Sequence, residues 1–146
     1  MRPRVVERVL AEVGDQCAKR MPSLEALAAE SAKVWHTRNG KYLIASTKYR
    51  EYLRSMIESR ADSEQTRALQ KLIGPEVDVV VTEVSNQIMA RFKTDFEQNP
   101  ADTEVHCRTY LEGAKNGKLD MKEQATDVAR FLDQVEAGQP PWPKQQ

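Results

Sequence analysis

Cysteine and histidine are scarce in this chain, two of each in 146 residues, at Cys17, Cys107, His36 and His106. A zinc-type site needs several such ligands at short, fixed spacings, and neither histidine has them, so no metal and no other cofactor is expected. Long apolar runs are missing as well; with no stretch of about 18 hydrophobic residues, a membrane-spanning helix is excluded. The six glycines are dispersed, which removes a glycine-rich phosphate loop. Excess charge of one sign is also lacking, since 22 Lys and Arg balance 22 Asp and Glu, and a strongly basic nucleic-acid surface is not expected. Carboxylate pairs such as Asp95 with Glu97, or Glu112 near Asp120, read as solvated helix surface, and no base–nucleophile set is assembled. The start, Met1-Arg2-Pro3-Arg4, leads straight into an amphipathic stretch without the apolar core of a signal peptide, so an export signal, for an exported protein, falls outside this sequence.

What is present is helical periodicity. Val5, Val6, Val9, Leu10, Val13 and Cys17 share one face, and Pro22-Ser23 is expected to end that helix with Ser23 capping the next. A second helix carries Leu24, Leu27, Ala28, Val34 and Trp35, with a stop expected at Asn39-Gly40. A third runs through Tyr42, Tyr49, Tyr52, Leu53, Met56 and Ile57. Asp62 and Gln65 suit a capping box for a short helix closed by Gly74-Pro75. Val79, Val80 and Val81 would suit a strand. Yet Val77, Val80, Val81, Val84, Ile88, Phe92 and Phe96 hold one helical phase for five turns, so helix is the reading. Asn99-Pro100 opens the helix bearing Cys107, Tyr110 and Leu111, which frays at Gly113 and Gly117. Asp120 and Glu123 suit a capping box for a last helix with Met121, Ala125, Val128, Leu132 and Val135. The fold class is therefore all-α: a bundle of about six or seven mostly antiparallel helices forming one domain over residues 1–138, followed by an extended proline-rich tail at 139–146.

Charge is uneven along the chain. Residues 1–60 hold 12 basic against 7 acidic residues, and residues 61–146 hold 10 against 15. The two halves either pair across the surface or present opposite faces to a partner. The basic and aromatic stretch Tyr42, Tyr49, Tyr52 with Lys41, Lys48, Arg50 and Arg54 fits core packing with basic rims better than a nucleic-acid face. Cys17 and Cys107 lie on the apolar stripes of their helices, so the two thiols can meet in a core and are expected to be bonded. Free buried thiols, or a Cys107 thiolate assisted by His106, are the alternatives.

Cys17-Ala18-Lys19-Arg20-Met21-Pro22, then Trp35-His36-Thr37-Arg38-Asn39, then Cys107 and Gly117-Lys118-Leu119-Asp120 resemble a loosely defined set of small exported bacterial proteins. The resemblance implies a periplasmic location, a helical bundle and a Cys17–Cys107 bridge. More distantly the chain is similar to helical, disulfide-containing immunity proteins of interbacterial toxin systems, which bind and occlude cell-wall-degrading effectors. That similarity implies a non-enzymatic inhibitor with a protein partner. Turn and tail residues are then the expected contacts: His36, Arg38, Asn39, Tyr42 and Trp142. The other reading is an intracellular helical adaptor or regulator with reduced cysteines.

Overall fold

The structure is a computed structural model and describes residues 2–59, 64–74 and 76–138. Among the described residues it contains seven α-helices and no strand: α1 (Arg2–Arg20), α2 (Glu25–Glu58), α3 (Glu64–Ile73), α4 (Glu76–Gln98), α5 (Thr103–Lys115), α6 (Met121–Gln124) and α7 (Thr126–Glu136). The expected capping residue Asp62 and the tail, with Trp142, lie outside the described residues.

The valine-rich segment is helical, but its buried face is rotated from the expected stripe: Val81, Ser85, Met89 and Phe96 of α4 face inward, whereas Val80 and Val84 are exposed. Three local expectations give way to tertiary contacts. Ser23 does not cap α2. It sits in a 3-10 turn, Pro22–Leu24, held by a bond from Leu24 N–H to Met21 O and by complete burial of Leu24. Asn39-Gly40 does not end a helix. α2 continues through it for 34 residues, about 51 Å at 1.5 Å per residue, because the Asn39 amide is bonded elsewhere and Gly40 keeps a helical backbone. The last stripe is not one helix, since Ala125 adopts φ −154°, ψ 67° and separates α6 from α7, with neither proline nor glycine marking the break.

α2 is the spine. α1 runs antiparallel to it, with Arg4 beside Thr47 and Gly14 beside Ala28, and α4 lies parallel to α1, pairing Arg4 with Asp78 and Arg8 with Thr82. One apolar core joins α1, α2, α4 and α5 through Val9, Leu10, Val13, Trp35, Phe96 and Leu111. A second lies where α6 and α7 meet α2, through Tyr42, Ala45, Met121, Ala129 and Leu132. Tyr42 is buried and Tyr49 packs edge-on against Phe131 with ring centroids 4.8 Å apart, so the aromatic stretch is core.

Inside the first core the sulfurs of Cys17 and Cys107 are bonded, with their Cα atoms 5.8 Å apart, which ties α1 to α5. Both residues are fully buried. The bridge spans a sequence separation of 90 residues, and in the chain-entropy account such a loop stabilises by on the order of 4 kcal/mol. Unreduced protein, denatured and treated with an alkylating reagent, should therefore gain no mass, and reduction should lower the denaturant midpoint.

Tyr110 on α5 packs edge-on against Phe92 at 5.1 Å, and burial pushes its phenol up to about 12 from the ordinary 10. Because the folded value is the raised one, the neutral phenol favours the fold fully below pH 10, and this contribution is lost as pH rises from 10 toward 12. Two pH units amount to about 3 kcal/mol at full ionisation. A tyrosine titrating near 12 by ultraviolet absorbance, with Tyr110→Phe flattening the alkaline loss of stability, is the expected result.

Candidate functional site

The two polar motifs that the sequence places 80 residues apart form one cluster. Trp35 is buried and donates its indole N–H to Leu119 O at 2.9 Å. Arg38 sends Nε to Asp120 Oδ2 at 2.7 Å, and its other guanidinium nitrogens to Ala114 O at 2.7 Å and Lys115 O at 2.9 Å. It thereby caps the last turn of α5, where unpaired carbonyls favour a cation. Asn39, 1% exposed, donates to Trp35 O and Asp120 Oδ1 and accepts the Met121 N–H at 2.8 Å. The capping box expected at Asp120 and Glu123 is thus replaced: the Asp120 carboxylate faces α2, and Asn39, from another helix, holds the first N–H of α6.

Gly117 makes this possible. Its φ of +91° closes a Schellman turn in which Lys118 N–H bonds Gly113 O at 2.8 Å, and a Cβ there would stand 3.2 Å from Asp120 Oδ2.

Of the five expected contact residues, then, Arg38, Asn39 and Tyr42 are engaged inside the fold; Tyr42 is 2% exposed, with its hydroxyl buried and without a hydrogen-bond partner. Trp142 lies outside the described residues. His36 remains accessible, its ring edge-on to Trp35 and its Nε2 3.4 Å from Glu7 Oε1. His106 is exposed on α5, while its neighbour Cys107 is in the disulfide and offers no thiolate. No group of three or more His, Cys, Asp or Glu among the described residues is placed to hold a metal ion, and none of the described helices is long and apolar enough to cross a membrane.

Part of the uneven charge pairs across the two halves. Arg4 and Arg50 share Asp78, Arg38 pairs with Asp120, Lys41 with Asp133, and Glu30 with Lys115. Hydrogen bonding from Arg50, with Arg4 adding to it, holds the Asp78 carboxyl below its ordinary range, and the Asp133 hydrogen bond raises the Lys41 ammonium.

Among the described residues, two surfaces along α2 border grooves. The first is a strip along α2: His36, then Gly40, then Ile44, which is 56% exposed, then Lys48. It borders a groove of about 640 Å³ between α1, α2 and α4, edged by Glu7 and Ile44 and bridged by Arg4, which reaches Asp78 at 3.3 Å and Thr47 at 3.2 Å. A Cβ added to Gly40 meets nothing within 4 Å. The second is a groove of about 750 Å³ in the valley between α2 and α3, lined by Arg54, Ile57, Glu58, Arg67 and Lys71. Sequence reading missed both. The usable signals were Ile44, an aliphatic residue off the apolar phase of its helix, and a glycine inside a helical period; the second groove depends on how α3 folds back and has no local signature.

The cluster and the strip make opposite demands on glycine. Gly117→Ala should cost about 1 kcal/mol or more, since φ is positive and the new methyl crowds Asp120. Arg38→Ala should cost about 2 kcal/mol, because it strips a half-buried carboxylate of its guanidinium and takes the donor from the Lys115 carbonyl, while Ala114 O keeps the Gly117 N–H. Urea unfolding of the two variants measures both.

No family model, curated protein or solved structure matches the chain.

Proposed function

We propose that this chain is a non-enzymatic binding protein of the periplasm, an immunity or inhibitor protein that blocks a secreted, cell-wall-degrading effector by occlusion. The observation that carries the binding role is Gly40. A glycine inside a helix costs about 1 kcal/mol relative to alanine, and nothing in the fold requires one here, because the space above it is open. A bare helix backbone between exposed His36 and exposed Ile44 is what a partner uses for close approach, with an aliphatic anchor on one side and a hydrogen-bonding ring on the other. The adjoining groove gives such a partner a concave seat. The buried Cys17–Cys107 bond supports the compartment, since disulfides persist where thiols are oxidised. The resemblance of the Cys-, Trp- and Gly-Lys-Leu-Asp-containing segments to small exported proteins supports it further.

The test is co-purification with candidate secreted cell-wall-degrading enzymes, followed by their activity assay. A one-to-one complex that suppresses the enzyme is expected, with association slowed by salt. Gly40→Ala should raise the melting temperature, consistent with up to about 1 kcal/mol of added stability, while weakening the complex. His36→Ala should weaken it at unchanged stability. Absence of any complex, together with two alkylatable thiols in the native chain, would replace this reading with the intracellular adaptor.

A further inference from the structure

We infer that the valley between α2 and α3 is a second binding site, and that it takes an acidic protein segment lying along the groove. Arg50 and Arg54 stand one turn apart on α2, and Arg67 and Lys71 one turn apart on α3, so two like-charged pairs face each other across a groove of about 750 Å³. Like charges at this spacing weaken a helix by a few tenths of a kcal/mol each unless something offsets them. Arg50 is offset: it caps α3 by donating to Ile73 O and Gly74 O at 3.1 Å and bridges to Asp78 at 3.3 Å. Arg54, Arg67 and Lys71 are not; among the described residues no carboxylate pairs with any of them, although the same fold pairs Arg4, Arg38, Lys41 and Arg50 across its two halves.

Three cations on one valley, none paired with a carboxylate among the described residues, fit carboxylates, and two arginines favour planar, two-pronged acceptors. Ile57 in the lining gives the seat an apolar patch, and Glu58 is a like charge that the occupant must tolerate. An acidic peptide supplies the carboxylates. A nucleic acid or an anionic membrane would instead call for a broad basic surface, and this chain's net charge is zero. The site lies on the α2–α3 hairpin, separate from the strip at Gly40, and it is read by a short peptide without any cell-wall enzyme, so its failure and that of the inhibitor reading are distinguishable.

The experiment titrates a hexaglutamate peptide into the full, oxidised chain at low ionic strength, by calorimetry and by amide chemical shifts. Saturable binding with shifts confined to α2 beyond Lys48 and to α3 is expected. Arg67→Gln with Lys71→Gln should weaken it about tenfold, as loss of two charge contacts does. Lys122→Gln with Arg130→Gln, an equal change of net charge elsewhere on the surface, should leave it within about twofold. Glu58→Gln should tighten binding, a gain that no unfolded variant can produce. Lack of saturation, equal loss in the Lys122 and Arg130 variant, or tighter capture by anionic lipid vesicles or inorganic phosphate through the same residues would each overturn the proposal.

Discussion

One buried amide holds the architecture together. Asn39 lies where the two apolar cores meet on α2, and its side chain is bonded at once to its own helix, to the Asp120 carboxylate and to the first N–H of α6. Asn39 itself is shielded from water, so its amide needs these partners, and hydrophobic packing alone would not choose this arrangement over neighbouring ones. Arg38 and Trp35 extend the joint to the end of α5 and to Leu119. The turn between α5 and α6, the start of α6 and the approach of α7 to α2 all follow from this joint. The disulfide fixes which helices are neighbours; Asn39 fixes how the chain's last third is registered on the spine.

Helix existence was legible in the sequence because it depends on a repeating signal. Val77 to Phe96 kept one phase for five turns, and that outweighed the β-preference of three consecutive valines. Boundaries were less legible for the opposite reason: Asn39-Gly40, Ser23 and Asp120 each carry a side chain suited to a local cap, and each is claimed by a partner far away in sequence or displaced by burial of a neighbour. Local chemistry says what such a residue can do, and only the fold says which offer is taken. The same holds at the surface. Arg38 and Asn39 looked like turn residues awaiting a partner because a turn was expected at Gly40; once the helix runs through, they face inward. His36, one position from buried Trp35, points outward by helix geometry alone.

The length of α2 has a functional side. Arg4 is level with Thr47, so α1 covers only the first part of the spine, and the final turns pack on α3. The Gly40 strip and the cationic valley therefore lie on one continuous helix, at a spacing the helix itself sets. A partner touching both meets a rigid ruler, and little ordering is required of this side of the complex.

The bond between Cys17 and Cys107 also divides the chain topologically. Everything from the end of α1 to the middle of α5 lies within a closed ring, whereas α6 and α7 hang outside it, held by the Asn39 joint and the second core. A protease that cuts once inside the ring leaves a single covalent molecule, with both fragments still docked through α1 and α5. A cut beyond Lys115 releases its piece as soon as the non-covalent contacts open. Wherever a protease reaches the chain, the segment carrying both exposed surfaces is the one that survives a first nick.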